Sequence, residues 1–240
     1  MSALCATAVC VICLFQTEMK LFKQKKSRKI LTTLYPDICP YCRKVINSGD
    51  YACIECKGKF NGIIYRKFAQ GNFPCVSAVP YEGMFASAIR SFKFSEMRQF
   101  DYPLARIMAE AIATECNNET FDLITYVPLH KKNLAKRGYN QSELLANCLS
   151  QILNIPVVNT LNKTRYTKPQ HKVKGKKRAE NVNGAYKIED KEAVKNKHIL
   201  LIDDIITTGN TLGECAKTLD KCSPASIYCA TFAITLPKTT

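Results

Sequence analysis

Apolar residues recur three and four positions apart over 84–94 and again over 103–116, where Leu104, Ile107, Met108, Ala111 and Ile112 share one face; this spacing predicts two amphipathic helices. A third covers 141–153, with Leu144, Leu145, Cys148, Leu149 and Ile152 as its stripe. Between and after them the period changes. Residues 76–81 and 123–127 have strand composition, 198–202 is a continuous apolar run and 226–234 supplies another strand, with a helix over 211–222 between the last two. Strands alternating with helices of this length argue for an α/β fold, a mainly parallel sheet with helices on both faces.

Two stretches break the pattern. In 39–56, Cys39, Cys42, Cys53 and Cys56 form two Cys-x-x-Cys pairs separated by ten residues, among them the turn formers Asn47, Ser48, Gly49 and Asp50. Four thiolates in two bites suit a tetrahedral structural zinc ion and leave no position open for chemistry. Residues 57–73 lead out of this knuckle. The second stretch, 163–178, holds eight Lys or Arg and no acid, without apolar periodicity, which predicts a mobile surface loop between two strands of the core.

The 240 residues allow one domain of ordinary size plus a small appendage. The expected division is an unassigned tail over 1–38, a zinc knuckle region over 39–75 and the main domain over 76–240. Nine of the thirteen cysteines are scattered and the total is odd, so a disulfide framework is disfavoured and a reducing, cytoplasmic setting is expected. A net charge of +15 attracts polyanions: nucleic acid, phosphorylated metabolites or anionic lipid. Residues 3–15 are apolar apart from Thr7, but as a helix they span roughly 20 Å, short of the ~30 Å hydrocarbon core, and no Lys or Arg precedes them as a secretory signal requires. Lys20, Lys23, Lys25, Lys26, Arg28 and Lys29 follow, and a basic stripe beside an apolar stub is the pattern of a peripheral inner-membrane contact; a disordered or locally packed tail is the plainer alternative.

The sharpest chemical signal is the apolar strand 199–202 running into Asp203 and Asp204, then Thr207, Thr208, Gly209, Asn210 and Thr211 at the start of a helix. Open α/β sheets bind ligands beyond the carboxyl ends of their strands. Hydroxyls and backbone N–H groups beside a helix N-terminus suit a phosphate, and two adjacent carboxylates there suit ribose hydroxyls or a cation. After Val127 comes a loop with His130, Lys131, Lys132, Lys136 and Arg137 next to Gly138, which lets backbone approach an anion closely, with a solvated basic face as the alternative. Tyr139, Tyr166 and Tyr186 offer rings for stacking on bases, with core packing or surface placement as the ordinary reading.

Residues 199–211 resemble the signature of type I phosphoribosyltransferases for 5-phosphoribosyl-1-pyrophosphate (PRPP). The run from Val127 through His130, Arg137, Gly138, Tyr139, Asn140, Gln141 and Ser142 to Ala146 resembles the ComF group of competence-associated proteins. So do Arg165, Thr167, Gln170, Arg178, Asn181, Gly184, Ala185 and Tyr186, and Tyr81-Glu82-Gly83 followed by Lys93. The resemblance extends from Cys39 to about Ile234. It implies the type I phosphoribosyltransferase fold, with Asp203 and Asp204 on the ribose 2′- and 3′-hydroxyls, the Thr-rich loop on the 5′-phosphate, the loop after Val127 on pyrophosphate, and Mg²⁺ bridging ribose and pyrophosphate.

For the basic loop, with Arg165, Lys174, Lys176, Lys177 and Arg178, two uses compete: an active-site lid, or a track for a nucleic-acid backbone. The resemblance implies a PRPP-binding protein that handles imported single-stranded DNA, with the competence machinery as a possible partner. The alternative is an active enzyme transferring phosphoribose to a nucleobase or other nitrogen acceptor.

Overall fold

In the computed structural model, which describes residues 36–47, 49–60, 62, 64–94, 97–167 and 182–237, the long apolar runs pair with one another across the sequence. The strands among these residues are β1 (Tyr65–Ala69), β2 (Phe73–Pro80), β3 (Leu123–Tyr126), β4 (Leu161–Lys163), β5 (Tyr186–Ile188), β6 (His198–Ile206) and β7 (Ser226–Ile234). Five make the main sheet in the order β1-β2-β7-β6-β3, with β1 antiparallel to β2 and the other pairings parallel. Its helices are α1 (Ile54–Lys57), α2 (Gly83–Phe94), α3 (Asp101–Glu115), α4 (Lys131–Arg137), α5 (Gln141–Leu153) and α6 (Asn210–Asp220).

Alternation along β6 divides the core in two. Leu200 and Ile202 face a cluster built with Ile89 and Phe92 of α2, Leu104 and Met108 of α3, and Leu145 and Leu149 of α5. Ile199 and Leu201 face the opposite cluster, with Leu212, Cys215 and Leu219 of α6 and Leu161 and Tyr186 of β4 and β5. The α/β layering expected from the pattern is therefore present. No helix of the described residues is long and apolar enough to cross a membrane. The tail, 1–38, lies outside them up to residue 35, and with it the expected membrane contact.

Several expectations need correction. Strand β6 does not end before the acids but continues through Asp203 and Asp204 to Ile206, because Asp203, Ile205 and Ile206 stay in register with Thr231, Ala233 and Ile234 of the equally apolar β7. The stretch 57–73 contains β1, whose inward position carries Lys67 instead of an apolar residue, which masks the alternation. Pairing of β1 with β2 thus takes residues of the 39–75 stretch into the sheet.

The basic stretch is flanked by β4 and β5, which form their own antiparallel pair over α6 and are not strands of the main sheet. Lys163 lies in β4 and Thr167 is buried, so the surface-loop expectation is wrong at that end; residues 168–181, with Lys174, Lys176, Lys177 and Arg178, lie outside the described residues. The basic run after His130 is not a loop but α4, a helix with no buried residue.

Candidate functional site

The two acids sit at the carboxyl end of β6, between β3 and β7, and leave the strand toward opposite faces. Asp204 is buried, and its Oδ2 lies 2.7 Å from Nζ of Lys93, in the last turn of α2. Asp203 accepts from Ser142 Oγ at 2.8 Å and from the Asp204 N–H at 2.9 Å. Burial first, and then the neighbouring Asp204 carboxylate, push the Asp203 carboxyl up to about 7; Lys93, Ser142 and the Asp204 N–H act against that rise. Lys163, Tyr186 and Cys215 are its electrostatic neighbours from β4, β5 and α6.

Beyond β6 the chain turns through Thr207 and Thr208 to Gly209, which has φ +77° and is the N-cap of α6. The helix has no acid in its first turn, and its N-terminal dipole faces the turn. The turn is fixed from behind by β1 and the start of its connection to β2. Lys67 Nζ donates to the Thr207 carbonyl, and Gln70 N–H donates to the Gly209 carbonyl at 3.3 Å. A Cβ on Gly213 would lie 2.2 Å from the Gln70 carbonyl oxygen, so glycine there permits an approach that no side chain allows.

On the other side of the acids, the chain after β3 enters α4. His130 caps that helix, its Nδ1 accepting from Lys132 N–H at 3.3 Å; burial first, then Lys132, Lys131 and Lys163, lower its pKa. Lys131 and Lys132 are exposed. Gly138, at φ +74°, ends α4. Arg137 donates to Gln141 Oε1 at 3.0 Å and lies 5.3 Å over the Phe94 ring. Asn140 caps α5, accepting from Ser142 N–H at 3.2 Å, and holds the end of β3 by donating to the Val127 carbonyl at 3.1 Å. The Nε2 of the buried Gln141 has no partner among the described residues.

The structure thus brings the Asp203–Asp204 pair, the 207–211 turn and the start of α5 to one edge of the sheet. Sequence reasoning gave no role to Lys93, Ser142 or Lys67; Lys93 and Ser142 stand in the ComF-like motifs, whereas nothing local marks Lys67. Arg165 is exposed and donates to the Asn183 carbonyl. Of the three tyrosines, Tyr139 (6% exposed) and Tyr186 (5%) are core residues, the ordinary reading for them, and are not available to stack on bases. Tyr166, 47% exposed, stands edge-on to His130 at 5.5 Å with Lys132 Nζ 5.8 Å from its ring.

The cysteines converge as expected. All four Sγ atoms lie within 4.8 Å of one another, with Cys42 and Cys53 3.5 Å apart. A tetrahedron of ~2.3 Å Zn–S bonds has edges of about 3.8 Å, so the four fit one zinc ion. The backbone N–H of Cys56 points at the Cys53 sulfur and lowers that thiol to about 7, whereas the Cys42 thiol is raised, the Lys44 N–H that favours its thiolate being outweighed by burial and by the neighbouring cysteines. The knuckle is packed against the body: Tyr41, Phe60 and Phe85 of α2 form an edge-to-face and tilted cluster with centroids 5.2–5.7 Å apart, and Arg43 bonds Ser91.

Among the described residues no other group of three or more His, Cys, Asp or Glu gathers. Asp204 is engaged by an ammonium and Asp203 by a hydroxyl, so the two acids as placed do not form a cage for Mg²⁺.

Away from this edge, a cleft of about 500 Å³ is lined by Lys187, Lys191, Lys195 and Lys221, with Glu192 its single acid.

A family model described as a phosphoribosyl transferase domain matches residues 140–238. Competence protein F of Haemophilus influenzae is 31% identical over 199 residues, 77% of this chain and 84% of its own. The DNA utilization protein YhgH of Escherichia coli is 25% identical over 207 residues, 79% and 87% of the two chains. Competence protein ComFC of Bacillus subtilis is 26% identical over 233 residues, 91% and 92%.

Proposed function

The chain belongs to the ComF family, and on that footing we propose that it binds PRPP with Mg²⁺ and handles incoming single-stranded DNA in natural competence. The observation that carries the PRPP part is the rigid presentation of Asp203 and Asp204 by a strand whose next turn caps a helix with an anion-ready N-terminus. Asp203 and Asp204 accept from the ribose hydroxyls. Residues Thr207, Thr208, Gly209, Asn210 and Thr211 hold the 5′-phosphate, and His130, Lys131, Lys132, Arg137 and Gly138 surround the pyrophosphate. Mg²⁺ arrives with the ligand and neutralises charge between ribose and pyrophosphate. Zinc at Cys39, Cys42, Cys53 and Cys56 is structural.

The DNA part draws on the names of the relatives, one a competence protein and another a DNA utilization protein, and on the net charge of +15. Base-independent binding to single strands combines cationic tracks with exposed aromatic rings. Arg165, Lys174, Lys176, Lys177 and Arg178 supply the track and Tyr166 the ring, and the four-lysine cleft adds a separate positive patch. A cytoplasmic site of action, with peripheral contact at the inner face of the membrane and with the competence machinery, belongs to the same reading. Salvage transfer to a nucleobase has less support, since the segment where such enzymes read the base is here the buried end of β7, with Ala230, Phe232 and Ala233 in the core.

The test is anisotropy of a labelled oligodeoxynucleotide across ionic strength. Affinity is expected to fall steeply with salt, and the fourfold variant Lys174→Gln, Lys176→Gln, Lys177→Gln, Arg178→Gln to bind more weakly, its salt slope smaller by up to about 2.8, at about 0.7 per lost phosphate contact. Binding that ignores salt, or an unchanged slope in the variant, contradicts the assignment of the loop to DNA.

A further inference from the structure

Helix α2 brings a cation to the site that the motif reading left without a task. The Lys93 side chain is 20% exposed and that of Asp204 9%, so their 2.7 Å contact is largely buried and reaches solvent mainly through the lysine. The region on either side of Lys93 is fastened to the α4–α5 junction by three contacts. The Arg137 guanidinium lies 5.3 Å over Phe94, Arg98 donates to the Gly138 carbonyl at 3.1 Å, and the Tyr139 hydroxyl donates to the Phe92 carbonyl. Lys93 therefore lies where the ribose-binding acid meets the segment that ends in Arg137 and Gly138. An ammonium on a four-carbon stem has three donors, and one N–H on Asp204 leaves the others for a second anion. A largely buried pair is costly to break, so Lys93 stays on Asp204 and meets a second anion with its remaining donors.

We propose that Lys93 is a pyrophosphate-binding residue, bridging Asp204 and the diphosphate of the ligand so that the site distinguishes a 1-pyrophosphorylated ribose from ribose 5-phosphate. The proposal rests on the PRPP reading and adds the residue that selects the activated end of the sugar. The 207–211 turn, on the far side of the acids, reads only the 5′-phosphate.

The experiment is calorimetry with Mg²⁺ on the full, zinc-loaded chain, titrated separately with PRPP, inorganic pyrophosphate and ribose 5-phosphate, for the parent, Lys93→Met and Lys93→Arg. Lys93→Met is expected to weaken PRPP and pyrophosphate by at least about tenfold, the loss of one charge-assisted hydrogen bond, and ribose 5-phosphate by less than about twofold. Lys93→Arg is expected to recover most of the loss. Equal weakening for all three ligands would make Lys93 a support for Asp204 only, and no change would remove it from the site; either overturns the proposal. Should Lys93→Met fail to fold, Lys93→Gln carries the same comparison. A parent chain that binds none of the three ligands refutes the PRPP reading itself, an outcome distinct from a binding parent with an indifferent variant.

Discussion

Asp203 and Asp204 are adjacent in the chain and differ in everything that decides their chemistry. Asp204 has a cation 2.7 Å away and stays paired, whereas Asp203 is held by a neutral hydroxyl and raised to about 7 by burial and by its neighbour. The sign of the resulting pH dependence follows. The folded state keeps a proton on Asp203 that the unfolded chain releases near the ordinary 3.8, so this group lowers stability progressively as pH rises from about 4 to about 7. For binding the direction is opposite. A neutral carboxyl is a poorer acceptor for ribose hydroxyls, so PRPP affinity is expected to rise as pH increases through about 7 and then level off. In Asp203→Asn the rise through about 7 should be lost, while the ligand's own phosphate titration near 6 remains. Calorimetry of parent and variant across neutral pH checks this, and identical profiles would show that Asp203 does not titrate in the bound site. The pair itself was legible in the sequence because an apolar strand that ends in two acids has few structural explanations. Their unequal environments were not, since Lys93 lies more than a hundred positions away and reaches Asp204 only through the packing of α2 on the sheet.

Among the elements, those with a strong period were read well: α2, α3, α5, α6, β3 and β7 lie close to their expected bounds. Those stabilised by other means were missed. Helix α4 has no buried residue and forms because His130 caps its start, Gly138 closes its end and Lys136 and Arg137 oppose its dipole. Strand β1 depends on pairing with β2 and on the bond from Lys67 to Thr207, neither visible locally.

The knuckle was legible from cysteine spacing alone, but its seat was not: Tyr41 and Phe60 pack on Phe85, so its order is coupled to α2. Closed thiolate sites contribute their metal-binding energy to folding. Cys53→Ser is therefore expected to lose the single zinc per chain and at least about 3 kcal/mol of stability. Metal analysis and denaturant melting measure both, and full zinc with parental stability would contradict the assignment.

At the scale of the molecule, sequence reading gave the parallel α/β class, but not the order of the strands. β6 lies between β3 and β7, and β2 pairs with β7 across some 150 residues of chain, contacts that no local pattern encodes. That order is what makes the site. It sets α5 from β3 and α6 from β6 on opposite faces, and leaves the acids in the crevice between their N-termini. The central claim is that this crevice binds PRPP through a rigidly presented acid pair. Calorimetry of PRPP with saturating Mg²⁺, on the parent and on the folded Asp203→Asn, Asp204→Asn double variant, tests it most directly. Hydrogen bonds to charged groups contribute roughly 1.5–3 kcal/mol each, so affinity should drop at least about tenfold while zinc content and fold are kept. Unchanged binding by the variant, or no binding by the parent, would contradict the account.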